Sequence, residues 1–317
     1  MPGTVFADHD EVRGKLVFGV ENDNAIPGIQ RSLIARGLTA DEFVIEHAQP
    51  IRMLETLRDK FRPTRGGIQI HFSGYLCTMG FNVDHAGGRS FITNSHCTSK
   101  QGGVESTKYY QPISTTDPTV IATEVADPAY SSVGCSAGKV CRRSDASRAL
   151  YSSGIDSDRG IIAKTTGVNS GSLTTNGFFT ITDQDDANTS FSGTINKVGR
   201  TTGWTAGTVT GTCVNVNVQG SNVQQQCQTL VTNNSADIVD SGDSGSPVFQ
   251  ITDGNNVRLV GILWGGGGTT QFVFSPLKNI QDELGAVVAT SDGSGGGGGT
   301  EPPPPEPCKP RGKKHPC

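Results

Sequence analysis

The pattern of apolar and polar positions changes period along the chain. "KLVFGVE" (15–21) and "DEFVIEHA" (41–48) are short apolar runs that predict strands, and "AIPGIQRSLIARG" (25–37) predicts a helix closed by Gly37. "IRMLETLRDKF" (51–61) repeats apolar residues at helical spacing through Ile51, Leu54, Leu57 and Phe61, which predicts a second helix. Residues 1–65 therefore read as a small α/β unit ending at the "RPTRGG" joint. From 66 to 290 the helical period gives way to short runs such as "GIQIHFSGYL", "SFITNSHC", "GTVTGTCVNVNV" and "SPVFQI". Gly, Asn, Asp and Ser divide them, the pattern of a sandwich or a pair of barrels. "PLKNIQDELGAVV" (276–288) then puts Leu277, Ile280, Leu284 and Val287 on one face of a C-terminal helix. In 291–317 a Gly/Ser run and a stiffer polyproline spacer lead to the basic tail "CKPRGKKHPC".

Composition supports the β reading. Aromatic residues are 6% and charged residues 18% of the chain, while glycine occurs 42 times in 317 residues. The net charge of −4 gives no basic face for a nucleic-acid partner. No apolar run approaches the roughly 18 residues that span a bilayer. The tail offers a weak contact for an anionic surface.

The eight cysteines fall into sequential pairs, Cys77–Cys97, Cys135–Cys141, Cys213–Cys227 and Cys308–Cys317. None has the C-x-x-C spacing of a zinc site, so no metal is expected and the pairs read as disulfides. Disulfides imply an oxidising compartment, hence a secreted protein. The first 15 residues lack the charged and apolar regions of a secretory signal.

Two stretches carry the candidate chemistry. "DSGDSGSPVF" (240–249) sets Ser244 between two glycines and after an aspartate. Glycine permits positive φ and close backbone approach, so such a loop can expose a serine oxygen beside bare N–H groups. An acyl-transfer nucleophile and its oxyanion hole need that arrangement. A nucleophilic serine also needs a base. Of the six histidines, His96 stands apart in "FITNSHC", where an apolar strand runs into His and Cys97. A bond from Cys97 to Cys77 would fix the base of that histidine.

"TNSHC" (93–97) and "GDSGSPV" (242–248), in that order on a β-rich chain, resemble the histidine and serine motifs of chymotrypsin-like serine proteases of the bacterial type. The resemblance covers about 66–290 and implies two antiparallel β-barrels. The order argues against α/β-hydrolases and subtilisins, whose residues follow other sequences. The acid should lie between His96 and Ser244. Asp117 and Asp127 each precede proline, which suits turns better than a buried site. Asp145, in "CRRSDASRALY", has the most core-like neighbours, and the resemblance implies the same choice; Asp158 is the alternative.

The resemblance further implies His96 as general base, Asp145 as its orienting acid, and the amides of Gly242 and Ser244 as oxyanion donors. It implies that "GILWGGGG" (261–268) binds the substrate backbone, with Trp264, Gly265, Gly266 and Gly267 walling the specificity pocket. It also sets Ile238, six residues before Ser244, at the pocket floor, where an apolar residue would favour large uncharged side chains. Two features depart from the family: no cysteine lies close before Ser244, and "RGGIQI" stands where an "IVGG"-type activation terminus would be. Insertion of a new N-terminus beside Asp243 is therefore not expected. The expectation is a secreted serine endopeptidase acting on protein or peptide substrates without a cofactor, its first 65 residues serving as a pro-segment-like unit. The alternative is a catalytically silent binding protein of the same fold.

Overall fold

A computed structural model describes residues 2–51, 53–187 and 193–293. The chain divides into two compact units, Met1–Leu54 and Glu55–Cys317. In the first, β1 (Thr4–Asp10) and β2 (Lys15–Val20) pair antiparallel, and β3 (Phe43–His47) lies parallel to β2. Parallel neighbours need a crossover, which α1 (Ile26–Ile34) supplies. Its apolar face buries Ile29 and Leu33 against Phe18, Val20 and Phe43. The elements expected over 15–48 are present; β1 was not expected, because "ADHD" breaks any apolar alternation there.

The helix expected over 51–61 is absent among the described residues, and the joint at 65 moves to Leu54/Glu55. Ile51 is 82% exposed and Leu54 79%, whereas Leu57 and Phe61 are buried in the core of the second unit. Thr56 bridges to Thr174, and Leu57 N donates to Leu173 O at 3.0 Å. The four apolar residues thus share no helical face. Strand-like pairing satisfies their backbone and overrides the local period.

The second unit is mainly β with a C-terminal helix, the class expected. Its first half carries β4 (Thr64–Gly66), β5 (Gln69–Phe72), β6 (Tyr75–Thr78), β7 (Phe81–His85) and β8 (Gly88–Thr93). There follow β9 (Lys108–Tyr109), β10 (Ala122–Ala126), β11 (Val140–Arg142) and β12 (Ser147–Tyr151). Pairing runs β7-β8-β12-β10-β9, and the His71–Tyr110 bridge carries it on to β5 and β6. The chain runs on from β6 into β7 within a few residues.

The second half carries β13 (Ser157–Thr165), β14 (Thr175–Gln184), β15 (Thr194–Gly199), β16 (Gly203–Asn217) and β17 (Val223–Thr232). Then come β18 (Pro247–Asp253), β19 (Asn256–Gly266), β20 (Gln271–Pro276) and α2 (Leu277–Leu284). Here β17-β16-β15-β18-β19-β20 form a ring, because β20 pairs with both β19 and β17. Its interior holds Ile195, Val231, Ile238, Val248, Leu263, Phe272 and Phe274. In α2, Leu277, Ile280 and Leu284 are buried as their spacing predicts, and Val287 is buried just beyond the helix end.

Candidate active site

The Cys77–Cys97, Cys135–Cys141 and Cys213–Cys227 disulfides are formed; Cys308–Cys317 lies outside the described residues, as does the rest of the basic tail. Cys77–Cys97 matters most, because it ties β6 to the short turn Ser95–Cys97 that carries His96. The strand β8 ends at Thr93, and the turn aims His96 toward the segment just before β12. There Asp145 Oδ2 lies 2.6 Å from His96 Nδ1, and Oδ1 accepts the His96 backbone N–H at 3.1 Å. The histidine side chain is 32% exposed and the aspartate 2%. Burial opposes a charge on His96, but the charge and hydrogen bond of Asp145 outweigh it and hold the imidazole above its ordinary value.

Asp145 is itself held. Asn94 Nδ2 donates to its carbonyl at 2.7 Å, and its own N–H donates to Ser275 Oγ at 3.0 Å. Ser275 in turn donates to Gln228 Oε1 at 2.8 Å, the oxygen that also accepts Trp264 Nε1 at 2.8 Å. Asp158, the alternative acid, lies in β13 with its side chain 36% exposed and 3.5 Å from Arg65, away from His96. Asp127 corrects the sequence reading: despite the following proline it is fully buried and paired with Arg142.

The Ser244 turn explains its glycines. Gly242 has φ 95° and Gly245 φ 93°. A Cβ on Gly245 would lie 2.1 Å from the Thr78 carbonyl oxygen, and one on Gly242 would lie 2.6 Å from Arg200 Nη1. Any other residue at Gly245 would force the loop away from β6, and at Gly242 it would be strained by the positive φ. The Ser244 carbonyl accepts the Thr78 N–H at 2.8 Å, and the Cys97 sulfur lies 4.0 Å from the same oxygen. The serine backbone thus packs on the disulfide beside His96. Among the described residues, the N–H groups of Gly242 and Ser244 make no hydrogen bond to a protein acceptor, and Ser244 Oγ makes none to His96.

Two adjoining cavities share Gly265 and Gly266. One of about 610 Å³ is lined by His96, Asp145, Trp264 and Gly267, with Val216 of β16, Val218 just after it, Leu230 of β17 and Val273 of β20. The other, of about 400 Å³, is lined by Ser244, Val239, Asp240, Leu263, Gly268 and Thr269. Ile238 lines neither, which corrects its expected place at a pocket floor. It sits in the core of the ring, its N–H bonded to Thr269 O at 2.7 Å and its carbonyl to Thr205 Oγ1 at 2.8 Å. Val239 and Asp240 line the smaller cavity instead.

Lys197 is the residue that sequence reasoning missed. Its ammonium and the Asp243 carboxylate are fully buried, 3.1 Å apart. Asp243 also accepts Thr201 N at 2.9 Å, Thr202 N at 3.2 Å, Thr202 Oγ1 at 2.6 Å and Asp240 N at 3.1 Å. Burial works against ionising the carboxyl, yet Lys197 and these donors hold it below the ordinary carboxylate range. A lysine from within the chain thus supplies the counter-charge to Asp243. Its signal was a lone lysine in the apolar alternation of "TINKVG" (194–199), where a buried charge needs a partner.

No model of a known protein family matches the chain, and no curated protein sequence matches it. Among solved structures, protease A of Thermobifida fusca is 21% identical over 70% of this chain and 95% of its own, with a TM-score of 0.49. A glutamic acid specific serine protease that uses a histidine triad in substrate binding is 24% identical over 71% of this chain and 98% of its own, with a TM-score of 0.49. The chymotrypsin of Cellulomonas bogoriensis is 23% identical over 71% of this chain and 97% of its own, with a TM-score of 0.46. Each of these three proteins is a protease.

Proposed function

We propose that this chain is a secreted serine endopeptidase that hydrolyses peptide bonds through an acyl-enzyme. The observation that carries the reading is the 2.6 Å pair of His96 and Asp145, standing beside the glycine-flanked Ser244 turn. In the proposed step, Ser244 Oγ attacks the substrate carbonyl as His96 Nε2 takes its proton. Asp145 holds the other ring nitrogen as the donor and balances the imidazolium. The oxyanion forms against the amides of Gly242 and Ser244, and each such donor is worth about 10²–10³ in rate. His96 then returns its proton to the leaving amine, and water hydrolyses the ester by the same route. The disulfides support an oxidising compartment for this chemistry.

Trp264 and Gly265–Gly267 border the larger cavity and are proposed to bind substrate on the acyl side of the scissile bond. The smaller cavity is proposed to take the side chain preceding that bond. Its charged lining residue is Asp240, and among the described residues no histidine, lysine or arginine lines it. It therefore disfavours acidic side chains. Met1–Leu54, the shortened form of the expected segment, is proposed to assist folding of the second unit or to inhibit it. A fold made of non-local strand pairs is slow to form, which gives such a helper a physical rationale.

The test is reaction of the purified full chain with a fluorophosphonate, with Ser244→Ala, His96→Ala and Asp145→Ala beside it. Stoichiometric labelling of Ser244 together with peptidase activity is expected. Each substitution should remove most activity, and a double variant should lose little beyond the worse single one. A folded chain that neither labels nor cleaves peptides would be the catalytically silent binding protein instead.

A further inference from the structure

His96 and Asp145 reach each other from separate segments, and a group of three charges, Asp127 and Arg142 buried and Glu283 partly so, fastens the flanks of both. Asp127 follows β10, Arg142 ends β11 and Glu283 lies in the last turn of α2. Asp127 Oδ1 accepts Arg142 Nη1 at 2.6 Å, while its Oδ2 accepts Ser95 Oγ at 2.9 Å and Gly102 N at 3.1 Å. Ser95 immediately precedes His96. Arg142 Nη2 donates to the carbonyl of Ala146, immediately after Asp145, at 2.9 Å. It also reaches Glu283 Oε2 at 3.1 Å. Glu283 then accepts the N–H of Arg143 at 2.6 Å and the hydroxyl of Ser144 at 2.6 Å. The arginine side chain is 3% exposed and lies over the Tyr130 ring at 5.2 Å.

We propose that Asp127, Arg142 and Glu283 are positioning residues for the proposed reaction, fixing the Asp145 segment against the His96 segment with a side chain from the C-terminal helix. The inference rests on the peptidase reading for its kinetic consequence alone. Its physical basis is the difference between apolar and ionic packing. An apolar cluster of the same volume would serve stability as well or better, because burying ions is costly. Apolar contacts are non-directional, however, and tolerate small slips. The charged group ties residues 95, 143, 144 and 146 by hydrogen bonds of defined direction. A pair that must hold one imidazole tautomer gains from that directionality.

The test uses the full chain carrying Glu283→Ala, Glu283→Gln or Ser144→Ala. The Ser144 variant leaves both ion pairs in place and removes one tie beside Asp145. Two readouts apply: kcat and KM separately on a peptide substrate, and the low-field proton resonance of the His96 Nδ1–H···Asp145 bond. A misplacement well under 1 Å is the expected defect, so Glu283→Ala should lower kcat about tenfold. KM should stay within about twofold, because substrate contacts are untouched. The low-field resonance should shift or broaden, Ser144→Ala should act in the same direction more weakly, and Glu283→Gln should recover part of the loss. An unchanged kcat and an unmoved resonance in folded Glu283→Ala would overturn the proposal. If that variant does not fold, the same result in Ser144→Ala overturns it. The resonance reports the His96–Asp145 bond whether or not the chain cleaves peptides. A protein inert to fluorophosphonate with a shifted resonance would therefore refute the peptidase reading and leave the positioning role standing.

Discussion

Replacing Lys197 with methionine would remove one charge of a pair from which water is excluded. Methionine keeps an unbranched apolar stem of similar length, so the change is confined largely to the ammonium. Breaking a buried pair in this way costs about 3–5 kcal/mol, because the surviving partner is left as an uncompensated charge. Asp243 would keep four donors, from Thr201, Thr202 and Asp240. The lower end, about 3 kcal/mol, is therefore expected. At about 2–4 °C per kcal/mol for a domain of this size, Tm should fall by about 6–12 °C. The sign of the pH effect follows from the depressed pKa of Asp243. Its stabilisation is full above the ordinary carboxylate value and is lost as pH falls through the depressed folded value. Without Lys197 that depression shrinks, so the acid loss from this group should be smaller and complete at a higher pH in the variant. Asp243 adjoins Ser244 and anchors the loop bearing the proposed oxyanion donors, so kcat should drop about 10²-fold. The assay is thermal unfolding by circular dichroism from neutral pH to about pH 3, with fluorophosphonate labelling rates on the same samples. Adding Asp243→Asn should cost less than the two single losses summed, a coupling of at least about 1 kcal/mol. A Lys197→Met protein that melts within about 1 °C of the parent and labels at the same rate would refute the reasoning.

Four further outcomes follow from the same geometry. Because Asp145 raises the His96 pKa, kcat/KM should rise with pH through a midpoint above about 6.5 and move down in Asp145→Asn; a parent midpoint below about 6 would contradict the electrostatic account. Leu57→Ala should cost about 2–5 kcal/mol of unfolding free energy, while the exposed Leu54→Ala should stay within about 0.5 kcal/mol; similar small losses for both would undo the division at Glu55. Peptides with Glu or Asp before the scissile bond should be cleaved at least about tenfold less efficiently than those with Leu or Met, and a preference for glutamate would sink the cavity argument. Refolding of Glu55–Cys317 should change in yield or activity when Met1–Leu54 is supplied in trans, and identical recovery and turnover with and without it would remove the helper role.

The sequence by itself determined what neighbouring residues decide among themselves. The change of period at the N-terminal end, α2 with its apolar face, and three cysteine pairs closing short loops were legible because each depends on contacts near in the chain. His96 and Ser244 stand out as candidates for a related reason: a histidine before a cysteine at a strand end, and a serine between glycines, are local arrangements. Gly242 and Gly245 answer to backbone angles that no other residue adopts easily. Tertiary structure decided the rest. Asp145, 49 positions from His96, was reached from its apolar neighbours and the resemblance, but its contact with the ring, like the pairing of Lys197 with a residue 46 positions away, depends on which strands lie side by side. Asp127 read as a turn residue because its proline is local, while its Arg142 partner is brought by the packing of β11 beside β17. Leu57 followed a helical period on paper, yet its backbone found strand partners at Leu173 and Gln69. Ile238 was placed by counting from Ser244, but it packs in the core with Ile195 and Phe272, residues distant in the chain. Local patterns specify conformations, whereas the pairing of buried charges and the facing of side chains depend on which distant segments exclude water together.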